Sequence, residues 1–126
     1  MTLTVLVVED DPDARDLLSF MLADADFQVR YAENGRVAIT MAREHPPDAI
    51  IMDLHLPGID GSAAAQTIRA DSRLGRIPIV AYTLSSRPLL AWETELFDAI
   101  VDKRTSSGAL IDILRQVTRG RAGGAP

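Results

Sequence analysis

DAIIMDLHLPGIDG, residues 48–61, decides how this chain folds. Four apolar residues, Ala49 to Met52, run directly into a carboxylate, Asp53. Pro57 and Gly58 then turn the chain, and Asp60-Gly61 can open a helix. The apolar run reads as a buried strand. An unpaired buried charge costs on the order of several kcal/mol, a sizeable part of a small domain's stability margin. Asp53 is therefore either partnered or exposed at the strand end. In open α/β sheets ligands bind at the C-terminal strand ends, so Asp53 is expected at the centre of a site.

Outward from this stretch the same alternation repeats. Residues 3–8 form a continuous apolar, β-branched run, the pattern of a strand buried on both faces. This run also ends on acids, Glu9, Asp10 and Asp11. Asp11 suits an N-cap and Pro12 the first helical position. Ala14, Leu17, Leu18, Met21, Leu22 and Ala25 recur at spacings of three and four, predicting a first helix over 12–25 with these residues inward. Phe27, Val29 and Tyr31 alternate with Gln28, Arg30 and Ala32, as expected of an edge strand. Asn34 caps a second helix with Val37, Ala38, Met41 and Ala42 inward, and Pro46-Pro47 stop it. A third helix is predicted over 61–70 and a fourth strand over 77–82. A fourth helix over 88–96 carries Leu89, Leu90 and Trp92. A fifth strand over 99–101 ends in Asp102-Lys103. A fifth helix from Ser106 or Ser107 buries Leu110, Ile113, Leu114 and Val117. Residues 1–119 are expected as one domain, and the Gly- and Ala-rich residues 120–126 as a disordered tail.

The pattern is (βα)5 with short connections, which points to a parallel sheet with helices on both faces. The 126 residues suffice for one domain with a real core. Cysteine is absent, which excludes disulfides and thiolate metal sites. The net charge of −5 argues against a nucleic-acid partner, and no apolar run is long enough for a membrane span. A cytoplasmic location is the expectation.

The strand ends carry Glu9 and Asp10 (first), Asp53 (third), Thr83 (fourth) and Lys103 (fifth). In a flavodoxin-like, doubly wound sheet of order 2-1-3-4-5 these groups converge on one crevice. Three carboxylates together repel and raise one another's pKa. A hard dication such as Mg²⁺ relieves that crowding, and only such an ion is expected to make it tolerable. A lysine and a hydroxyl can hold further phosphate oxygens, and a carboxylate can itself accept a phosphoryl group. The parts describe an aspartyl-phosphate site.

The sequence resembles the CheY-like receiver domains of response regulators in two-component signalling. VVEDDPDAR at residues 7–15 resembles their acidic-pair motif, and DLHLPGIDG at 53–61 their phosphoacceptor loop. IPIVAYT at 77–83 resembles their hydroxyl-bearing strand, and Asp102-Lys103 their lysine. The resemblance covers about residues 3–118 and implies that Asp53 accepts phosphoryl from a histidine kinase or phosphotransfer protein. It implies that Asp10 and Asp53 ligate Mg²⁺ directly, Glu9 chiefly through water, and His55 through its backbone carbonyl. It gives Lys103 the acceptor carboxylate and then the phosphoryl oxygens, and Thr83 a hydrogen bond to the phosphoryl group. Three positions depart from the family pattern. Leu84 replaces a small residue, Ile100 an aromatic that swings inward on switching, and Arg104 a proline.

The first reading is a stand-alone receiver that signals to a downstream protein by contact, with at most slow self-dephosphorylation. A natural-looking Met1 and a loose tail favour the stand-alone form over a piece of a larger protein. Trp92, read chiefly as helix packing, could with Ile111 mark a homodimer or docking face over helix 4, strand 5 and helix 5. The alternative is a pseudo-receiver, an interaction module not switched by phosphorylation, supported by the three departures. An aspartyl phosphatase is disfavoured, because His55 stands where such enzymes often carry a second Asp. His45 and His55 have no tetrahedral ligand set around them and are expected at the surface.

Overall fold

The computed structural model describes residues 2–84 and 88–119. Five parallel strands, β1 (Thr4–Val8), β2 (Gln28–Ala32), β3 (Ala49–Met52), β4 (Ile79–Thr83) and β5 (Ala99–Asp102), form one sheet in the order β2-β1-β3-β4-β5. This is the doubly wound, flavodoxin-like arrangement expected from the sequence. They alternate with α1 (Pro12–Asp24), α2 (Gly35–Glu44), α3 (Gly61–Ala70), α4 (Ala91–Thr94) and α5 (Ser107–Val117).

The strand residues divide by parity between two cores. Leu6, Val8, Ile50, Met52, Ile79 and Ala81 face α2 and α3, which contribute Ala38, Ile39, Ala42, Ala64, Ala65 and Ile68. Val5, Val7, Ala49, Ile51, Val80 and Val101 face α1 and α5, which contribute Leu18, Leu22, Leu110 and Leu114. Burial on both faces explains why the inner strands read as unbroken apolar runs. The helix starts follow local chemistry. Asp11 accepts from the N–H of Asp13 at 3.2 Å, Asn34 from Val37 at 2.9 Å and Asp60 from Ala63 at 2.8 Å. Each side chain satisfies a donor that the first helical turn leaves open.

Several boundaries and faces differ from the sequence expectation. β4 begins two residues late and extends to Thr83. Pro78 offers only its carbonyl, which accepts from Ile50 at 2.9 Å. α4 is a single turn rather than a helix over 88–96. Leu89 and Leu96 pack partly into the core, but the position between them is Glu93, which is buried. Its Oε2 accepts from the Ser62 hydroxyl at 2.8 Å and its Oε1 from the N–H of Leu90 at 3.0 Å. An acid at the centre of the inward face leaves no apolar stripe to sustain a longer helix. Trp92 is about half exposed, not packed inward. Leu17 is also exposed: of the adjacent pair Leu17-Leu18 only Leu18 fits the stripe. Val37 yields to Ala38 in the same way. Ile111, offered from the sequence as part of a docking face with Trp92, packs partly buried against the second core. The tail expected over 120–126 lies outside the described residues.

Gly61 opens α3 directly beneath the Asp53 strand end. A Cβ there would lie 2.2 Å from the Asp53 carbonyl oxygen and 2.8 Å from Leu54 Cα. Gly108 in α5 has nothing within 4 Å of such an atom. The two glycines should therefore respond oppositely to alanine in urea denaturation. Gly61→Ala is expected to lose about 2–3 kcal/mol, the scale of a forced backbone shift. Gly108→Ala is expected to gain up to about 1 kcal/mol from helix propensity.

Candidate functional site

The sheet ladder continues one residue past β1 and past β3, and this step creates the site. The Glu9 N–H donates to the Ala32 carbonyl at 3.0 Å, and the Asp53 N–H to the Val8 carbonyl at 3.0 Å. Backbone bonds thus hold both acids at neighbouring strand ends. Glu9 and Asp53 are buried, and Asp10 is exposed. Carboxylate oxygens of Glu9, Asp10 and Asp53 lie within 4.8 Å of one another. No other group of three or more metal-ligating side chains is found among the described residues.

Lys103 enters from the far side. It follows β5, and its N–H donates to the Thr83 carbonyl at 3.1 Å. Its ammonium donates to Asp53 Oδ2 at 2.9 Å and also to Glu9 Oε1. The remaining carboxylate oxygens are held by backbone. Asp53 Oδ1 accepts from the N–H of His55 at 3.0 Å, and Glu9 Oε2 from Asp11 at 3.2 Å. Asp53 is thus gripped from both sides. Pro57 and Gly58, with Gly58 at φ +77°, turn the chain away before α3. The side chains of His45 and His55 are exposed.

This arrangement corrects one expectation. The crowding of the acids is relieved in part by an internal cation and does not await a metal. Three carboxylates still face one ammonium. A dication would bring the four groups to neutrality, and a set of hard oxygens suits Mg²⁺. Thr83, at the end of β4, supplies a further feature: its hydroxyl is buried and has no hydrogen-bond partner among the described residues. Such a group carries a desolvation penalty that an incoming phosphate oxygen would relieve.

The titrations reflect the geometry. Burial pushes Glu9 above its ordinary 4.5 and the Asp53 charge adds to this, against the hydrogen bonds from Lys103 and Asp11. Burial alone would lower Lys103, but the carboxylates of Glu9 and Asp53 outweigh it and raise the ammonium above its ordinary 10.5. Beside the site, the Arg104 guanidinium holds Asp102 at about 2.

A family model for the response regulator receiver domain matches residues 5–115. The chain belongs to this family. PilH of Pseudomonas aeruginosa is 34% identical over 79 residues, 63% of this chain and 65% of that protein. The chain therefore spans somewhat less than two thirds of this relative. The CheY-like receiver domain from Methylobacillus flagellatus superposes with a TM-score of 0.85 at 27% identity, covering 93% of this chain and 99% of that one. Response regulator TrrA from Thermotoga maritima, solved in complex with Mg²⁺-BeF, gives 0.84 at 27% identity, covering 93% and 99%. The fold and the two-component family are as the sequence suggested. No described helix is long and apolar enough to cross a membrane.

The structure gathers Glu9, Asp10, Asp53 and Lys103, and it puts Thr83 on the neighbouring strand end. The double grip of Lys103 was not foreseen, nor was the ion pair between Asp102 and Arg104. One signal was present: Lys103 is the only lysine among 13 basic residues.

Glu9 gives a pH signature. Because its folded value is raised, the metal-free folded chain binds more protons than the unfolded chain just above pH 4.5. Stability from this group therefore falls as pH rises from 4.5 through the folded value, and then levels. Thermal unfolding in chelator is expected to show this downward limb in the native chain and to lose it in Glu9→Gln. Equal slopes in the two proteins would assign the limb to other groups.

Proposed function

We propose that this chain is a phosphorylation-switched receiver in which Asp53 accepts a phosphoryl group from a phosphohistidine on a histidine kinase or phosphotransfer protein. The observation that carries this reading is the paired grip on Asp53, with Lys103 on Oδ2 and the His55 N–H on Oδ1. A carboxylate so held is oriented for in-line attack, and positioning with charge neutralisation is most of what phosphoryl transfer requires. An Asp53 oxygen bonds to phosphorus as the N–P bond to the partner's imidazole breaks. The imidazole leaves with the bonding electron pair and takes up a proton. Lys103 then shifts its donors to the phosphoryl oxygens, and the unpartnered Thr83 hydroxyl donates to another of them. Asp10 and Asp53 directly, Glu9 through water and His55 through its carbonyl would hold Mg²⁺, which supplies charge neutralisation for the transferring oxygens. Hydrolysis of the phosphorylated chain is at most slow turnover of Asp53 itself.

Residues 1–119 form the receiver and 120–126 a tail in this reading, and the chain acts in the cytoplasm without nucleic acid or membrane. Leu84, Leu90, Trp92 and Ile100 are exposed along the β4–α4–β5 side. This face supports signalling by contact with a downstream protein or a second copy. The burial of Asp53 favours the competing view, an interaction module that takes no phosphoryl group.

Phosphoramidate with Mg²⁺ separates the two. The expected result is one phosphoryl group per chain, none on Asp53→Asn, and labelling slowed by about 10²-fold in Lys103→Met, the scale of losing one charge-stabilising donor. A second arm measures thermal unfolding with Mg²⁺ and beryllofluoride. A rise in midpoint that Asp10→Asn abolishes supports the receiver, and no response would support the interaction module.

A further inference from the structure

The turn that carries Lys103 is closed by an ion pair between the residues on either side of it. Arg104 places Nε 2.9 Å from Asp102 Oδ1 and Nη2 2.6 Å from Oδ2, a two-pronged grip. The Arg104 N–H also donates to Asp102 Oδ1 at 2.8 Å, and the Thr105 N–H to the Asp102 carbonyl at 2.9 Å. Asp102 is the last residue of β5, so the grip ties the turn back to the sheet. Lys103 lies inside this closed loop and from there reaches acids on two other strands.

We infer that Arg104 is a positioning residue: by gripping Asp102 it holds the 102–105 turn in the shape that delivers the Lys103 ammonium to Asp53. The inference rests on the proposed role of Lys103. An exposed ion pair contributes little to global stability, and Arg104 is 77% exposed. A two-pronged pair is nevertheless geometrically specific, and displacements near 1 Å matter at a reacting centre. A proline in the turn would fix it covalently. Here the same position is fixed by charge, so the delivery of Lys103 is open to screening by salt.

Because Lys103 is the only lysine, its side-chain ammonium can be followed by NMR in ¹⁵N-lysine-labelled protein without assignment. Held by two carboxylates, its protons are expected to exchange slowly in the native chain. In Arg104→Ala exchange is expected to quicken by about three- to fivefold, the scale of one surface ion pair, with little change in the unfolding midpoint. Arg104→Lys, whose added ammonium is identified as the one that remains when Lys103→Met is combined with it, keeps the charge without the fork and should not restore the slow exchange. Unchanged exchange in Arg104→Ala, or full restoration by Arg104→Lys, overturns the inference whether or not Asp53 takes phosphoryl. Labelling by phosphoramidate supplies the functional arm. Arg104→Ala should slow it by a similar factor in the native background and not at all in Lys103→Met, as for two residues acting as a unit. A slowing that persists without Lys103, or no slowing in the native background, overturns the positioning role. Failure of the native chain to take phosphoryl while the exchange result stands counts against the proposed function alone.

Discussion

The contact on which the site depends is one ammonium shared by two buried acids from different strands. Desolvation and mutual repulsion oppose the burial of two neighbouring carboxylates, and the ammonium offsets both. Lysine suits this role better than arginine. Its ammonium is a compact point charge with three donors on a flexible stem, so it can divide itself between two carboxylates that do not form a planar pair. Arginine supplies every other permanently cationic side chain, yet lysine stands here. The contact also imposes a topology. Lys103 follows the edge strand β5 and crosses β4 to reach acids on β3 and β1, which the order β2-β1-β3-β4-β5 makes possible.

The acids are neighbours by backbone bonding, not by side-chain choice. The hydrogen bonds from Glu9 to Ala32 and from Asp53 to Val8 extend the ladder by one residue on each strand. The Asp53 carbonyl in turn lies where a Cβ on Gly61 would stand, so α3 starts tightly beneath it. The acceptor end of the molecule is therefore determined by parallel-sheet geometry and close packing, which tolerate little displacement. This is the half of the site that relates most directly to sequence.

That relation explains what could be read in advance. Strands buried on both faces write themselves as unbroken apolar runs, so β1 and β3 and their terminal acids were visible in 3–10 and 48–61. Helices α1, α2, α3 and α5 announced themselves by a capping side chain followed by a stripe. The stripe failed where two apolar residues were adjacent, as at Leu17-Leu18, because periodicity alone does not say which of the two turns inward. It failed more completely at α4, where the central inward position is Glu93. A glutamate reads as a surface residue, and its buried partner Ser62 is 31 positions away. The grip of Arg104 on Asp102 was hidden for another reason. Neighbouring charges in a sequence are common, and only coordinates show when they close on one another.

The two halves of the site are consequently held by different forces. On the β1 and β3 side, the ladder and apolar packing fix the acids. On the β4–α4–β5 side, polar contacts add to the apolar packing: the Glu93–Ser62 bond ties α4 to the start of α3, and the Asp102–Arg104 pair closes the lysine turn. Apolar packing is short-ranged and insensitive to a change of charge nearby, whereas contacts between charged and polar groups respond to it. Under the proposed function a phosphoryl group adds negative charge between these halves, next to Lys103 and the unpartnered Thr83 hydroxyl. The packed half keeps its shape, and the polar half is where rearrangement is least opposed. At the position where the family pattern has an inward-swinging aromatic, this chain has Ile100, which is exposed. Redistribution of charge-dependent contacts is the response that these residues permit.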